Sequence, residues 1–340
     1  MSLITDIVKL KRGADCASRF SLWGCTADLE YCGIMEYSIL WGVDRLRLRG
    51  NLILMMAAFL WGTTFVAQQS GMDSLGPFSY AASRYFLGWL TLLLVWFAYR
   101  GQRQAARKGG SYHSGWLAGC GAGGIMFIAS SLQQVAMQYT TAGKTSFITC
   151  LYIIFVPLFA VVLRQRIKLE NWIGAVLALA GLYLLCVRET FSLSYGDGLV
   201  LVSAVFWAIH ILFTGRFAAR VDVIEMSTAQ IFVTMLASLA VALVFEDIQW
   251  SGLIAEAFPI FYAGVMSAGV AFTLQIIGQQ YAEPSHAAII MSLESVFGAV
   301  SSWLLLGEVM SGIEIMGCLL MITGMIVTQT GSWLLHKCTG

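Results

Sequence analysis

Four ionisable residues of this chain sit inside long apolar runs, where a charge costs about 2.5–3.5 kcal/mol to bury in a bilayer and is a functional candidate by default. Glu294 lies near the middle of the run 284–306, Arg84 in the first third of 77–99, Lys144 near the start of 141–163, and His210 within 197–216. A carboxylate at the depth of Glu294 suits the amine of a substrate or a travelling proton. It equally suits a hydrogen bond that glues two helices. Gly298 and Ser302 follow it at helical spacing and extend a small, polar stripe toward the bundle interior. Arg84, roughly 10 Å from a surface at 1.5 Å per residue, can hold a carboxylate bidentately or pair with an acid inside the protein. Lys144 can snorkel to the interface or stand at an outer mouth. Trp61 and Trp207 supply either an aromatic wall for an amphipathic or cationic metabolite or packing and lipid-facing surface. His210, one turn after Trp207, can titrate near neutral pH or fill a hydrogen-bonded packing position. Thr64, Gln133, Gln134 and Gln275 are further polar candidates for a cavity lining.

Other chemistries lack their residues. No G-x-x-x-x-G-K-[ST] phosphate loop and no H-E-x-x-H are present. Gly121-Ala122-Gly123-Gly124 lies in an apolar run and follows no strand, so it is no dinucleotide fingerprint. His113, His210, His286 and His336 form no ligand pattern, and the eight cysteines contain no C-x-x-C pair. No cofactor or metal is expected. Work done by such a chain draws on an ion or substrate gradient.

The elements that must position these side chains follow from composition. Of 340 residues, 58% are hydrophobic and 11% charged, and the mean hydropathy is +0.76. Soluble domains have about a quarter of their residues charged. A soluble enzyme, a nucleic-acid binder and a secreted disulfide scaffold are excluded. Runs near 20 apolar residues mark bilayer-spanning helices. Ten are found, at about 51–70, 77–99, 115–138, 141–163, 170–187, 197–216, 224–245, 257–279, 284–306 and 311–334. Span 3 opens with Gly115, Gly119 and Gly123, two overlapping G-x-x-x-G units that let backbones approach, within one chain or across a homodimer. Pro157 predicts a bend in span 4.

Basic residues set the orientation. With the N-terminus inside, the inner loops hold Arg45, Arg47 and Arg49, then Arg100, Arg103, Arg107 and Lys108, then Arg164, Arg166 and Lys168, then Arg216 and Arg220, and finally Lys337. The outer loops hold Arg188 alone. Both termini are therefore expected in the cytoplasm. Residues 1–49 form a basic N-terminal tail with no signal-peptide pattern. An alternative start at Met35 fits equally.

The chain also repeats itself. Ala58-Phe59-Leu60-Trp61 matches Ala204-Val205-Phe206-Trp207 at an offset of 146, which lays Arg84 on Gln230. Gln133 falls on Gln275 and Gln138-Tyr139 on Gln280-Tyr281 at an offset of 142, and Gly174 falls on Gly317 at 143. Five spans per repeat force the second copy to enter the membrane inverted, the architecture of secondary transporters. The domain expectation is a first repeat at 50–190 and a second at 191–340.

The chain resembles the drug/metabolite transporter superfamily, EamA type, over about residues 50–333. The resemblance is carried by Ala58 to Phe65, Arg84-Tyr85-Phe86-Leu87, Thr140-Thr141-Ala142-Gly143, Pro157, Gly196-Asp197 before Trp207, Glu294, and Leu304-Leu305-Leu306-Gly307-Glu308 leading to Gly317. Two positions depart from the family pattern. Arg164-Gln165-Arg166 stands where a Gly-Glu-Arg-like turn is usual, and Glu294-Ser295 where Glu-Pro is frequent. The resemblance implies an all-α, ten-span, non-enzymatic carrier of small metabolites, amino acids or related compounds, frequently outward and in a cell inner membrane. The partners expected are a small-molecule substrate and membrane lipid, with no nucleic acid. An integral-membrane enzyme on a lipid-like substrate and a non-transporting scaffold are the alternatives.

Overall fold

The computed structural model describes residues 29–71, 74–102, 113–140, 142–186, 194–306 and 310–338. Their regular elements are helical, apart from one parallel bridge between His113 and Val221. The chain divides into two units, Met1–Arg49 and Gly50–Gly340. The first is described only from residue 29, where it is helical rather than an irregular tail.

The helices are α1 (Leu29–Ser70), α2 (Pro77–Ala98), α3 (Trp116–Ala136), α4 (Ala142–Thr149), α5 (Tyr152–Val162), α6 (Leu169–Cys186), α7 (Tyr195–Ala218) and α8 (Val223–Phe245). Then come α9 (Trp250–Ala255), α10 (Ala257–Tyr262), a π-helix (Ala263–Ala271), α11 (Phe272–Gln279), α12 (Pro284–Met291), α13 (Glu294–Leu306) and α14 (Gly312–Cys338). All ten predicted spans fall on these helices. Among the described residues seven helices are long and apolar enough to cross a membrane, and Leu169–Leu185 is a shorter apolar helix. The protein is an all-α polytopic membrane protein of two inverted five-helix repeats. Helices satisfy their own backbone groups, which lipid cannot do.

Sequence punctuation sets the helix ends. Pro77 and Pro284 occupy first-turn positions of α2 and α12, where a missing N–H costs nothing. Ser194 and Asp197 form a capping box at the start of α7, and Asp222 caps α8 through Ile224 N and Glu225 N. The end of α5 closes in a turn at Arg164 and Gln165. Gln165 N donates to Ala160 O at 2.9 Å, and Arg164 itself takes a left-handed φ of 60°, the conformation for which glycine is usual.

Helix packing carries a two-fold relation between the repeats. α6 runs antiparallel along α14, and both are kept close by glycines. A Cβ on Gly181 would lie 2.5 Å from Gly317 O, and one on Gly317 would lie 2.6 Å from Gly181 O. Gly174 and Gly324 face each other in the same way, each 2.7 Å from the other's carbonyl. Since Gly174 corresponds to Gly317 and Gly181 to Gly324, exchanging the repeats maps one contact onto the other. Gly119 and Gly123 of α3 pack against another helix of the same chain. A Cβ on Gly119 or Gly123 would strike Met226 O or Gln230 O of α8 at 2.5 and 2.6 Å.

Three details differ from uninterrupted spans. Span 4 breaks at Cys150–Leu151, and Pro157 stays inside α5. Span 9 breaks at Ser292–Leu293, so Glu294 begins a helix instead of lying within one. The two breaks are related by the repeat offset of 142. Span 8 contains the π-helix, for which an inserted residue accounts. Gly264 packs on Arg84 O as Gly123 packs on Gln230 O, an offset of 141 at the start of the π segment, against 142 for Gln133 and Gln275 after it. A wide turn absorbs one extra residue while both flanks keep register.

Candidate functional site

The two breaks, the π-helix and the aromatic layer line one cavity. Both repeats line it: Trp61, Arg84 and Gln133 come from the first, and Trp207, Gln275 and Glu294 from the second.

Arg84 is 5% exposed. Its Nη1 donates to Gln68 Oε1 and its Nη2 to Tyr85 Oη, both at 2.9 Å. The guanidinium carbon lies 4.5 Å from the Tyr85 ring centre and 5.8 Å from that of Tyr80. Its Nε has no partner. The group is thus oriented and cushioned by neutral neighbours, and its charge is unanswered. No acid lies in ion-pair contact with it among the described residues.

Glu294 is likewise buried, at 7% exposure. Tyr152 Oη and Cys150 Sγ approach its Oε1 at 3.4 and 3.5 Å, long contacts that leave most of the carboxylate's accepting capacity unused. No base pairs with it among the described residues. Beside it, Ser146 and Ser295 share a 2.7 Å hydrogen bond and Cys150 Sγ lies 3.4 Å from Ser295 Oγ. These bonds tie the two helix breaks together. Gly62 of α1 completes the mount, since a Cβ there would meet Glu294 O at 2.6 Å and Gly298 N at 2.7 Å. An unpaired buried charge is costly, and this cavity is lined by an ionisable group of each kind, one basic and one acidic.

The wall between them is aromatic. Phe272 stands 5.0 Å from Trp61 at 61° and 6.0 Å from Trp207 at 14°. Trp207 Nε1 donates to Gln133 Oε1 at 2.8 Å, fixing its ring against α3. Trp61 Nε1, Thr149 Oγ1 and Gln275 Oε1 are buried without a partner and line the cavity.

Of the residues singled out from sequence, Trp61, Arg84, Gln133, Gln134, Trp207, Gln275 and Glu294 reach this cavity. Thr64 does not: it is buried and its hydroxyl donates to Trp61 O at 2.9 Å, as serine and threonine often do within helices. His210 lies one ring behind the wall, edge-on to Trp207 and Phe272. Lys144 falls in α4, and its side chain is outside the described residues, as is that of Ser302. Sequence reasoning missed Gln68, Tyr85, Thr149, Tyr152, Ser267 and Phe272. The repeat held a signal for two of them. Tyr152 precedes Glu294 by 142, and Phe272 follows the cavity residue Ser130 by 142.

Residues 48–187 and 194–330 each match the EamA-like transporter family. The chain belongs to this family. An "Uncharacterized transporter" of Archaeoglobus fulgidus is 27% identical over 83% of this chain and 86% of its own length. The "Uncharacterized transporter YoaV" of Bacillus subtilis is 23% identical over 81% of this chain and 94% of its own. A solved crystal structure, 21% identical, shares the fold with a TM-score of 0.70 over 84% of this chain and 98% of that one. This EamA-family chain is therefore a multi-pass membrane protein of a transporter family.

Proposed function

We propose that the protein is a secondary transporter that exports a small zwitterionic metabolite, an amino acid or a related compound, by alternating access. The observation that carries this reading is the pairing of opposite needs in one cavity. Arg84 and Glu294 line the same space, and neither meets an opposite charge among the described residues. A substrate carboxylate on Arg84 and a substrate ammonium near Glu294 would answer both. The aromatic wall would take the apolar remainder. The site lies where the two repeats meet, so rocking one repeat against the other would expose it to either side. The positive-inside pattern of the loops supports an inner-membrane location with both termini cytoplasmic.

The test begins with purified, detergent-solubilised protein. A thermal-shift screen covers amino acids, amines, nucleobases and sugar phosphates, since a ligand that binds the native state raises the apparent melting temperature. Zwitterionic amino acids should stabilise the wild type, and Arg84→Gln and Glu294→Gln should each lose that shift. Shifts produced only by compounds of one charge sign, or retained in both variants, would sink the zwitterion reading. Proteoliposomes loaded with the strongest hit then report efflux.

A further inference from the structure

The repeat relation that lays Arg84 on Gln230 also lays Gln68 on Thr214 and Thr64 on His210. The structure joins the matching helices in both repeats, although the second contact falls one turn away, on His210 instead of Thr214. In the first repeat Arg84 of α2 holds Gln68 of α1. In the second, Gln230 Oε1 of α8 meets His210 Nε2 of α7 at 3.3 Å. Because the repeats are inverted, the second cluster lies toward the opposite end of the bundle from Arg84. It differs in one respect. The Arg84 pair opens into the cavity, whereas His210, Thr214, Ser227 and Gln230 are all 0% exposed and none of them lines it. Trp207 and Phe272 stand between, with the His210 ring 5.7 Å and 6.3 Å from theirs.

This sealed cluster is under-satisfied. Thr214 is committed to Gln279 Oε1 at 2.7 Å, and Gln279 Nε2 to Ile211 O at 3.0 Å. Gln230 Nε2, Ser227 Oγ and His210 Nδ1 have no partner. Burying such groups unpaired costs about 1–3 kcal/mol each, and lipid offers no water to relieve them. His210 accounts for the direction of the amide: by engaging Gln230 Oε1 it turns the Nε2 donors away from itself. Ser227, three residues earlier on α8, adds a second buried donor without a partner on the same side of the helix.

We propose that His210, Ser227 and Gln230 form a second, opposite-facing binding site, which opens when the Trp207–Phe272 layer moves and holds the substrate's anionic end before it passes to Arg84. This deepens the transporter reading and rests on it. Gln230 Nε2 and Ser227 Oγ donate to the carboxylate, and His210 positions the amide without touching substrate.

The probe is a small anionic thiol reagent, 2-sulfonatoethyl methanethiosulfonate, whose sulfonate stands in for a carboxylate. Full-length Arg84→Cys, Gln230→Cys and Ser227→Cys chains are placed in cell membranes and treated as spheroplasts or as inverted vesicles. Modification is read position by position by mass spectrometry, which separates it from the native cysteines. Arg84→Cys is expected to react from one face, and Gln230→Cys and Ser227→Cys at least tenfold faster from the other. If the latter two stay unmodified from both faces, or react from the Arg84 face, the second site is wrong and the cavity reading stands. If Arg84→Cys is itself inert from both faces, the cavity reading fails and the second site falls with it. A cationic trimethylammonium reagent, compared after correction for its rate with free thiol, should lag the sulfonate at position 230; the reverse order would overturn the anionic assignment.

Discussion

The α6–α14 seam offers a quantitative test of the two-fold arrangement. An alanine at Gly181 would place its Cβ 2.5 Å from Gly317 O and 2.7 Å from Met321 N. An alanine at Gly317 would place its own 2.6 Å from Gly181 O and 2.8 Å from Leu185 N. Ordinary contact begins at 3.4 Å, so either change forces the backbones apart by about 0.8–0.9 Å, with no flexible side chain to yield. Overpacking of this kind costs about 1–3 kcal/mol. Both substitutions crowd the same crossing, so the displacement caused by one relieves the other. The double variant should be less destabilised than the sum of the singles, with a coupling on the order of 1 kcal/mol. Gly198→Ala is the matched control, because nothing lies within 4 Å of its added Cβ and a helical glycine-to-alanine change is otherwise favourable by up to about 1 kcal/mol. Apparent melting temperatures by fluorescence-detected size exclusion give the cycle. Gly181→Ala as stable as Gly198→Ala, or a strictly additive double variant, would refute the shared close contact.

Two further outcomes are expected. Glu246 accepts from Phe78 N at 2.9 Å, Ser79 N at 2.7 Å and Ser79 Oγ at 2.6 Å, a helix cap supplied by another span; Glu246→Ala should cost about 1–2 kcal/mol, Glu246→Gln should recover part of it, and equal stability of all three in thermal unfolding would exclude the capping role. Arg164 is exposed and sits at φ 60°, so Arg164→Gly should stabilise the chain by about 1 kcal/mol, and a lower melting temperature would show that the side chain contributes more than its strained backbone loses.

The sequence alone marked the helical runs, because lipid demands long apolar stretches and, Arg84 and Lys144 apart, Lys and Arg fall where those stretches end. It also determined the internal repeat, through Trp61 with Trp207 and Gln133 with Gln275, and singled out Arg84 and Glu294 as candidates, since an ionisable group within an apolar run is costly, while leaving open whether each lines a cavity or joins two helices. Other features were not legible. The breaks at Cys150–Leu151 and Ser292–Leu293 carry no proline or glycine, so local chemistry does not announce them; the contacts of Glu294 with Cys150 and Tyr152, and of Ser295 with Ser146, exist only once spans 4 and 9 meet. The π-helix likewise became visible only through packing, when Gly264 and Gly123 were found against equivalent carbonyls one residue out of step. Thr64 and His210 had the composition of lining residues, yet rotation about the helix axis decides between cavity and wall. That rotation is set by neighbouring helices, here by glycine contacts and the Trp207–Phe272 stack, which no single span encodes.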